Sequence, residues 1–426
     1  MGLALRLAVL SILILMAGGC ATVQPPPSPV PVTPPEREGT LFMPDGSEAS
    51  YLAFGQAARS HDYILLGEGH TSPCDHAVQA RLLQVMVNMG MRPAVGLEMV
   101  PKDRQPVLDR FNKYEALFHF GDADELLTPE NFAEAVDWKN VWGYPYSLYK
   151  PVFETAYRAG LPMYALNVPS EVVRKVGRQG VDSLDESERR WLPETIIPPS
   201  QEQRDMLELM FKQHDAMRKS TANATRAAKK IDAQEAESPA DAKRGSMDRF
   251  FLVQSIWDTA MAQNAVDARK KHGGRVAVIV GSGHVEHGWG LAYRLGKLDP
   301  DAKVLLVMPW RATASIDPAE GDFFFYCPAS HKSRLGFTLE MKGDKALVTD
   351  VEPDSAAGAS GFKAGDVIES VDGDAVNSLW TLHKAGVRAS REKRPMAFGV
   401  VRDGASMTIE VEPPSHGRKP ATGTKP

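Results

Sequence analysis

Two short turns with the pattern Gly-x-x-His each follow directly on an apolar run. Residues 67–70 (Gly-Glu-Gly-His) follow the run at 63–66, and residues 281–284 (Gly-Ser-Gly-His) follow the run at 276–280. Short apolar runs bounded by glycine are typical of buried strands. In a parallel α/β sheet, ligands bind in the crevice beyond the carboxyl ends of the strands. We therefore expect both histidines to lie on that rim.

Strands and helices alternate along the first three quarters of the chain. The runs typical of strands lie at 63–66, 94–99, 163–168, 275–280 and 303–308. Helical patterns lie between them, and this alternation is typical of a largely parallel sheet covered by helices on both faces. The sequence therefore predicts an α/β domain over 41–318.

A helix is predicted directly after the first Gly-x-x-His turn. Ser72 is a suitable N-cap, Pro73 stands at the first helical position, and Asp75 is placed to reach back in a capping box. We therefore expect Asp75 to be a cap and not a metal ligand.

Residues 181–246 interrupt the alternation of strands and helices. Helical patterns at 185–191 and 201–217 precede a stretch, 219–245, that is rich in Ala, Lys, Asp and Glu and has few large apolar residues. Such a helical insertion is either a lid over the site or a solvated excursion. The sequence leaves both alternatives open.

The first 20 residues resemble a bacterial lipoprotein signal. Arg6 is the positive charge, residues 7–16 form an apolar segment too short to span a bilayer by itself, and Ala-Gly-Gly-Cys ending at Cys20 resembles a lipobox. The resemblance implies removal of residues 1–19 and acylation of Cys20, with an uncleaved membrane anchor as the alternative. Ala21 is not the Asp that resembles an inner-membrane retention signal. We therefore expect a cell-envelope lipoprotein of the outer membrane that faces the periplasm.

Composition indicates where a linker lies, which partners are expected and which kind of metal site has no support. Residues 20–40 are dominated by Pro and predict an extended linker without a core. A formal net charge of −5 gives no reason to expect a nucleic-acid partner. Beyond Cys20 only Cys74 and Cys327 remain, so no Cys-x-x-Cys pair supports a zinc site. We expect these two to be buried free thiols; a disulfide is the alternative that an oxidising periplasm allows.

Polar side chains gather at the predicted strand ends. Glu68 and His70 follow the first strand, Glu98 closes the second, and His284 follows the fourth. A carboxylate inside an apolar strand is rarely unpaired, so Glu98 needs a partner, for which the two histidines are candidates. A Glu–His pair can perform general acid–base chemistry, or bind a metal with one carboxylate orienting the imidazole.

Two further polar residues lie near this predicted site. Asp258 stands beside the apolar stripe of a helix predicted over 247–271, and it either hydrogen-bonds into the site or stays half-exposed. His287, just beyond the second turn, is expected at the surface.

Four ordered segments resemble the ChaN-type haem-binding lipoproteins. They are Leu-Gly-Glu-Gly-His at 66–70, Gly-Leu-Glu-Met at 96–99, Trp-Asp-Thr-Ala-Met-Ala at 257–262 and Gly-Ser-Gly-His at 281–284. This family belongs to a superfamily with the Tiki metalloproteases, TraB proteins and erythromycin esterases. The resemblance covers about residues 45–315. It implies an α/β domain that exposes a haem site, a role in iron acquisition, and compatibility with a homodimer that pairs two haems.

The resemblance also implies that a tyrosine holds the haem iron. Residues 142–149 carry Tyr144, Tyr146 and Tyr149, and phenolate is a known axial ligand of ferric haem. The three remain alternatives to one another and to an aromatic loop that only packs.

The same superfamily allows an enzyme. His70, Glu98 and His284 would then hold a divalent metal ion in a hydrolase or peptidase of the Tiki type, and the polar rim matches the shared superfamily positions better than it matches a set of haem ligands.

Residues 332–413 form a second, smaller unit rich in strand patterns. Leu335, Gly336 and Phe337 resemble the carboxylate-binding loop of PDZ domains, and Ala-Gly-Asp-Val-Ile at 364–368 resembles a strand of bacterial PDZ domains. The resemblance implies that the three amides bind a peptide C-terminus, which adds a strand to the sheet edge. A PDZ fold used only for packing is the alternative. Residues 414–426 predict a tail without structure.

The sequence therefore predicts a lipoprotein that binds haem for iron acquisition and binds protein C-termini through its PDZ domain. The alternative is a metal-dependent hydrolase that recruits substrates through that domain. A third interpretation is a scaffold in which both domains only bind protein.

Overall fold

A computed structural model describes most of the chain. The described residues are 28–112, 127–209, 211–212, 239–312, 315–333, 335–342, 345–353 and 355–412. The predicted signal segment 1–19, its lipidation site Cys20, most of the predicted insertion at 219–245 and the tail 414–426 lie outside these residues. Within the described ranges, no helix combines the length and the apolar character that a membrane crossing requires.

The first sheet has eight strands. They are β1 (Leu41–Phe42), β2 (Glu48–Ala49), β3 (Tyr63–Glu68), β4 (Ala94–Pro101), β5 (Met163–Asn167), β6 (Val276–Gly281), β7 (Val304–Trp310) and β8 (Phe323–Tyr326). Their order across the sheet is β2-β1-β8-β7-β3-β6-β4-β5. Strands β3 to β8 pair in parallel, whereas β1 pairs antiparallel with both β8 and the edge strand β2. The predicted α/β class with a largely parallel sheet is confirmed.

Helices cover both faces of this sheet. They are α1 (Tyr51–Arg59), α2 (Pro73–Asn88), α3 (Gln105–Phe111), α4 (Phe132–Ala135), α5 (Trp138–Val141), α6 (Tyr146–Ala159), α7 (Ser170–Gln179), α8 (Glu186–Arg189), α9 (Pro239–His272) and α10 (Leu291–Leu298). Alternate side chains of β3 enter opposite cores: Ile64 packs with residues of α2 and α6, and Leu65 packs with residues of α9 and α10. Because both faces are covered, the central strands are continuous apolar runs.

All five strands predicted from apolar runs are present, but three further strands were not predicted. β1 and β2 have two residues each, and the sequence indicated only a change of composition at the residues that form β8. Such short edge segments become strands through their pairing, because Leu41 and Phe42 of β1 lie opposite Phe325 and Phe324 of β8.

The Pro-rich segment joins the domain earlier than the sequence predicts. The Val30 amide donates to the Ile316 carbonyl at 2.6 Å, and the Ile316 amide donates back at 2.9 Å. The Gly39 amide donates to the carbonyl of Tyr326 at 2.7 Å. Residues from Val30 onward therefore lie against the folded domain and do not form a free linker.

The second sheet is antiparallel and belongs to the C-terminal unit. Its strands are β9 (Ala329–Lys332), β10 (Phe337–Lys342), β11 (Lys345–Val351), β12 (Val367–Val371), β13 (Asp374–Ala375), β14 (Met396–Arg402) and β15 (Ala405–Val411), with helices α11 (Ala356–Ala359) and α12 (Leu379–Glu392). Their order is β15-β14-β12-β11-β10-β9, with β13 beside β12. The prediction of a second, smaller unit rich in strands is confirmed.

The Gly-Asp motif of the C-terminal unit has a structural role. Asp366 is fully buried, and both its oxygens accept from Arg402, at 2.6 Å from Nε and 2.7 Å from Nη2. The Lys363 amide donates to the same carboxylate at 2.9 Å. The motif therefore ties the turn before β12 to β14, since a buried charge needs a complete set of partners.

Candidate functional site

The first Gly-x-x-His turn is built around a buried carboxylate. Glu68 ends β3 and is 1% exposed. Its Oε1 accepts from Nδ1 of His70 at 2.8 Å and from the hydroxyl of Tyr149 at 3.2 Å. The carboxylate thereby orients the His70 ring, whose Cε1 and Nε2 lie against Gly281 at the end of β6.

A second histidine, not singled out by the sequence, faces the other oxygen of this carboxylate. His76 is fully buried on α2, and its Nε2 lies 3.4 Å from Glu68 Oε2. Its Nδ1 contacts Gln79, whose amide donates to the Leu66 carbonyl at 2.8 Å. His76 and Gln79 stand at i and i+3 on the helix face toward the sheet, which is the one sequence signal that could have identified them.

The second Gly-x-x-His turn meets the first through Glu98. This carboxylate, in β4, accepts the Gly281 amide at 2.6 Å, and its other oxygen lies 3.5 Å from His284 Nε2. Gly281 also lies against the His70 ring, where an added Cβ would be 2.8 Å from Cε1. Glycine is therefore required here by close approach, and both turns share one site.

Behind His284 lies a fully buried polar chain. His284 Nδ1 donates to Asp258 at 2.6 Å, and Asp258 accepts the side-chain amide of Gln203 at 2.8 Å. Arg294 lies 3.4 Å from the same carboxylate and donates to Gln203 and to the carbonyls of Trp289 and Gly290. Asp258 thus hydrogen-bonds into the site, the first of the two alternatives left open. Gln203 and Arg294 were not predicted, because nothing in their local sequence distinguishes them from surface residues.

Both histidines of the Gly-x-x-His turns favour the charged form. Burial opposes the charge of His284, but Asp258 and Glu98 outweigh it and raise the pKa of His284 to about 9. Burial likewise opposes the charge of His70, but the hydrogen bond to Glu68 and the charge of Glu98 raise its pKa. The rim of the sheet therefore carries two histidines whose charged forms are favoured by buried carboxyl groups.

Aromatic side chains form the wall of the site next to His70. The Trp142 and Tyr144 rings lie 5.0 and 5.1 Å from the His70 ring. Tyr144 is half-buried, whereas Tyr149 is fully buried beneath the site. Tyr146 has a buried hydroxyl, and its ring packs on Trp138 at 5.1 Å. Of the three ligand candidates, Tyr144 alone combines partial exposure with a ring contact to His70.

Asp75 holds the Gly69 turn and does not complete a capping box. Ser72 caps α2 as predicted, since its hydroxyl accepts from the Asp75 amide at 3.3 Å. The Asp75 carboxylate instead accepts the Gly69 amide at 2.7 Å and pairs with Arg311. The predicted cap is wrong in this respect because Arg311, which follows the neighbouring strand β7, supplies a stronger partner than the backbone of Ser72.

Cys74 and Cys327 form a disulfide, with 5.8 Å between their Cα atoms. The expectation of two free thiols is therefore wrong. The bond joins the start of α2, next to the first Gly-x-x-His turn, to the residue after β8. Chain positions 253 residues apart are brought together by the sheet, which sequence spacing alone does not reveal.

Three groups of side chains in the described residues have the spacing of cation ligands, and one of them consists of Asp75 with the two disulfide-bonded cysteines. Glu68, His70 and Glu98 offer ligand atoms that all lie within 4.8 Å of one another. A separate group lies outside this site, where His287 stands with Asp317 and Glu320 and stacks on Trp289 at 4.1 Å. His287 is partly exposed and does not contribute to the site of His284.

The predicted carboxylate-binding loop makes bonds within the chain. The Leu335 amide donates to Ser333 Oγ at 3.1 Å, and the Gly336 amide donates to the Ser333 carbonyl at 3.0 Å. Phe337 begins β10, and its ring packs on Phe362 and Phe398. The three residues are therefore together in one turn at the start of β10.

Comparisons with known proteins give two family matches. The profile of the family described as "Haem-binding uptake, Tiki superfamily, ChaN" matches residues 54–295, and that of the PDZ domain matches residues 333–412. A search of curated protein sequences finds no match to the chain.

Three solved structures illustrate the similarity. "Cofacial heme binding to ChaN of Campylobacter jejuni" is 16% identical, covers 70% of this chain and 98% of its own, and has a TM-score of 0.49. An erythromycin esterase mutant, EreC in its open conformation, is 11% identical over 78% of this chain and 88% of its own, with a TM-score of 0.32. The HtrA3 PDZ domain bound to a phage-derived ligand is 21% identical over 20% of this chain and 89% of its own, with a TM-score of 0.17.

Proposed function

Because the chain belongs to the ChaN family of haem-binding uptake proteins in the Tiki superfamily, we propose that it binds haem with Tyr144 as the axial ligand of the iron. One observation carries the choice of ligand. Tyr144 is half-buried against His70, whereas Tyr149 is fully buried and Tyr146 has a buried hydroxyl. A ligand must reach an iron at the surface of the domain, so Tyr144 is the tyrosine that meets this condition.

The residues around Tyr144 fit a flat, apolar group with a cationic centre. Trp142 lies 5.6 Å from the Tyr144 ring and extends the aromatic surface that a porphyrin would cover. Burial, followed by the charges of Glu68 and Glu98, raises the pKa of Tyr144. Tyr144 therefore holds its proton until a cation arrives; bound ferric haem would supply that cation and accept the phenolate.

His70 has a positioning role in this proposal. Its ring lies 5.1 Å from that of Tyr144 and is fixed by Glu68 through the 2.8 Å bond. A charged imidazole at this position can attract a negatively charged propionate group of haem. His284, one step farther along the rim, adds a second positive charge held by Asp258.

The cellular role follows from the two ends of the chain. The lipobox-like sequence at Cys20 supports a lipoprotein of the outer membrane facing the periplasm, where haem taken up as an iron source would be collected. The PDZ domain supports capture of a protein C-terminus that brings a partner to the haem domain. A homodimer pairing two haems stays a prediction.

A haem titration of the purified full chain tests the proposal. Addition of ferric haem should produce a shifted, saturable Soret band and the visible bands of a phenolate-ligated high-spin iron. A spectrum equal to the sum of free haem and protein would contradict haem binding. Retention of the shift after Tyr144→Phe, with its loss after another substitution, would contradict only the choice of ligand.

One observation favours a second function, a metal-dependent hydrolase or peptidase. Glu68, His70 and Glu98 form a compact set of ligand atoms, which a divalent ion could bridge and use to activate water. Metal analysis and a peptide-cleavage assay test this alternative. Cleavage should fall with His70→Ala and with His284→Ala and persist with His287→Ala, whose side chain lies outside the site. Cleavage unchanged by the first two substitutions would contradict it.

A further inference from the structure

Both edges of strand β10 are occupied within the described chain. On one side β10 pairs with β11, and on the other side β9 pairs with it antiparallel. The register runs from Lys332 opposite Thr338 to Ala329 opposite Met341. A peptide that adds a strand to a sheet needs an unpaired edge. The edge that directly follows the carboxylate-binding loop is therefore already used.

The occupying strand lies outside the PDZ domain itself. The PDZ match begins at residue 333, and β9 ends at Lys332. β9 is the outermost strand of its sheet, and it belongs to the segment that connects β8 to the PDZ domain. Without β9, the family-matched part of the chain would present β10 as a free edge.

The backbone amides of the loop beside this edge are also hydrogen-bonded within the chain. Ser333 follows β9 directly, and it accepts the amides of Leu335 and Gly336 through its hydroxyl and its carbonyl. The Ser333 amide in turn donates to the Phe337 carbonyl at 2.8 Å. Two of the three amides that would bind a peptide carboxylate therefore have partners from the connecting segment.

We propose that the connecting segment, residues 329–333, is the PDZ domain's own ligand, which a protein C-terminus must displace before it binds. This inference rests on the peptide-binding function proposed above and adds its regulation. The segment is held nearby because Cys327, two residues before β9, is bonded to Cys74 on α2. A tethered competitor acts at high effective concentration, so only C-termini that bind tightly to the open edge would succeed.

Two opposite variants of the full chain test the displacement. The Ser333 amide donates to the Phe337 carbonyl, so in this register the amide of residue 331 also faces β10. His331→Pro removes that donor and disfavours the pairing, and His331→Ala is the matched control that keeps it. The double variant Ser330→Cys with Glu340→Cys places thiols at directly opposed positions, so a disulfide would lock β9 onto β10. Wild type measured with and without dithiothreitol controls for reduction of the native disulfide.

The probe is a heptapeptide with a free C-terminal carboxylate, selected from a random library on the His331→Pro protein and labelled for fluorescence anisotropy. The same peptide with a C-terminal amide is the negative control. We expect the His331→Pro protein to bind the probe roughly tenfold or more tightly than wild type and His331→Ala, because self-occupancy reduces the competent fraction. The locked variant should not bind until dithiothreitol is added. Amide hydrogen exchange in β10 should rise in His331→Pro alone.

The outcomes separate this inference from the function on which it rests. Equal probe affinity of wild type, His331→Pro and the locked variant would overturn self-occupancy and leave peptide binding intact. Failure to select any carboxylate-dependent peptide on His331→Pro, with β10 exchange showing the edge open, would overturn peptide binding and the inference with it.

Discussion

Gly281 of the second Gly-x-x-His turn lies directly against the His70 ring of the first. A methyl group on Gly281 would stand 2.8 Å from Cε1 and 3.3 Å from Nε2 of His70, with Glu98 Oε2 at 3.5 Å. Corresponding positions of the two turns, such as Glu68 and Ser282, are 214 residues apart along the chain. The turns form one rim because β3 and β6 are parallel neighbours.

This contact predicts that Gly281→Ala will disturb the site. His70 must move, and overpacking of this kind typically costs about 1–3 kcal/mol. The free energy of unfolding in urea should fall by that amount. Gly283→Ala is the matched control, because an added Cβ there meets nothing within 4 Å. Equal stability of the two variants would contradict the contact.

Tyr144→Phe should weaken haem binding and abolish the phenolate spectrum. Mutation of a residue that hydrogen-bonds to a metal ligand typically lowers metal affinity by roughly 10–100-fold. Loss of the ligand itself should lower haem affinity at least as much. Tyr146→Phe is the matched control, since its hydroxyl is buried away from the rim. Haem titration followed by the Soret band and by the visible spectrum measures both. Identical spectra of Tyr144→Phe and wild type would exclude Tyr144 as the ligand.

The buried His284–Asp258 pair should make stability depend on pH. The pKa of His284 is raised from 6.5 to about 9, so its stabilising contribution is complete below pH 6.5 and is lost as the pH rises through 9. The difference between these pKa values corresponds to roughly 3 kcal/mol. In urea unfolding, the stability gap between wild type and His284→Gln should therefore be widest below pH 6.5 and narrow toward pH 9.

His287→Gln controls for the histidine substitution itself, because that side chain lies with Asp317 and Glu320. It should follow the wild-type pH profile. A stability gap for His284→Gln that stays constant from pH 6 to pH 9.5 would show that the imidazole of His284 does not change its charge as proposed.

Reduction of the Cys74–Cys327 disulfide should destabilise the haem domain. The bond closes a loop of 253 residues, and disulfides typically contribute about 2–5 kcal/mol by constraining the unfolded chain. Urea unfolding with and without reductant measures this contribution. Stability of the double variant Cys74→Ser with Cys327→Ser should be lower and unaffected by reductant. If reductant lowered the free energy of unfolding of that variant by the same amount as that of wild type, the effect would not come from this disulfide.

The polar site was partly predictable. Glu68, His70, Glu98 and His284 were identified because each interrupts or directly follows an apolar strand, where an uncompensated polar group would be costly. Their partners His76, Gln203 and Arg294 were not identified. Each of these lies on a helix among ordinary helical residues, and only packing against the sheet makes it part of the site.

The sequence by itself determined the positions of the five parallel strands β3 to β7, the class of the sheet and the rim on which both histidines lie. It did so because strands buried on both faces must be apolar along their whole length. Tertiary structure decided which groups meet: Gly281 with His70, Asp258 with His284, Cys74 with Cys327, and β9 with β10. These contacts depend on the order of the strands and on the path of the connections between them. The type of a residue indicates that it needs a partner but does not indicate which residue that partner is.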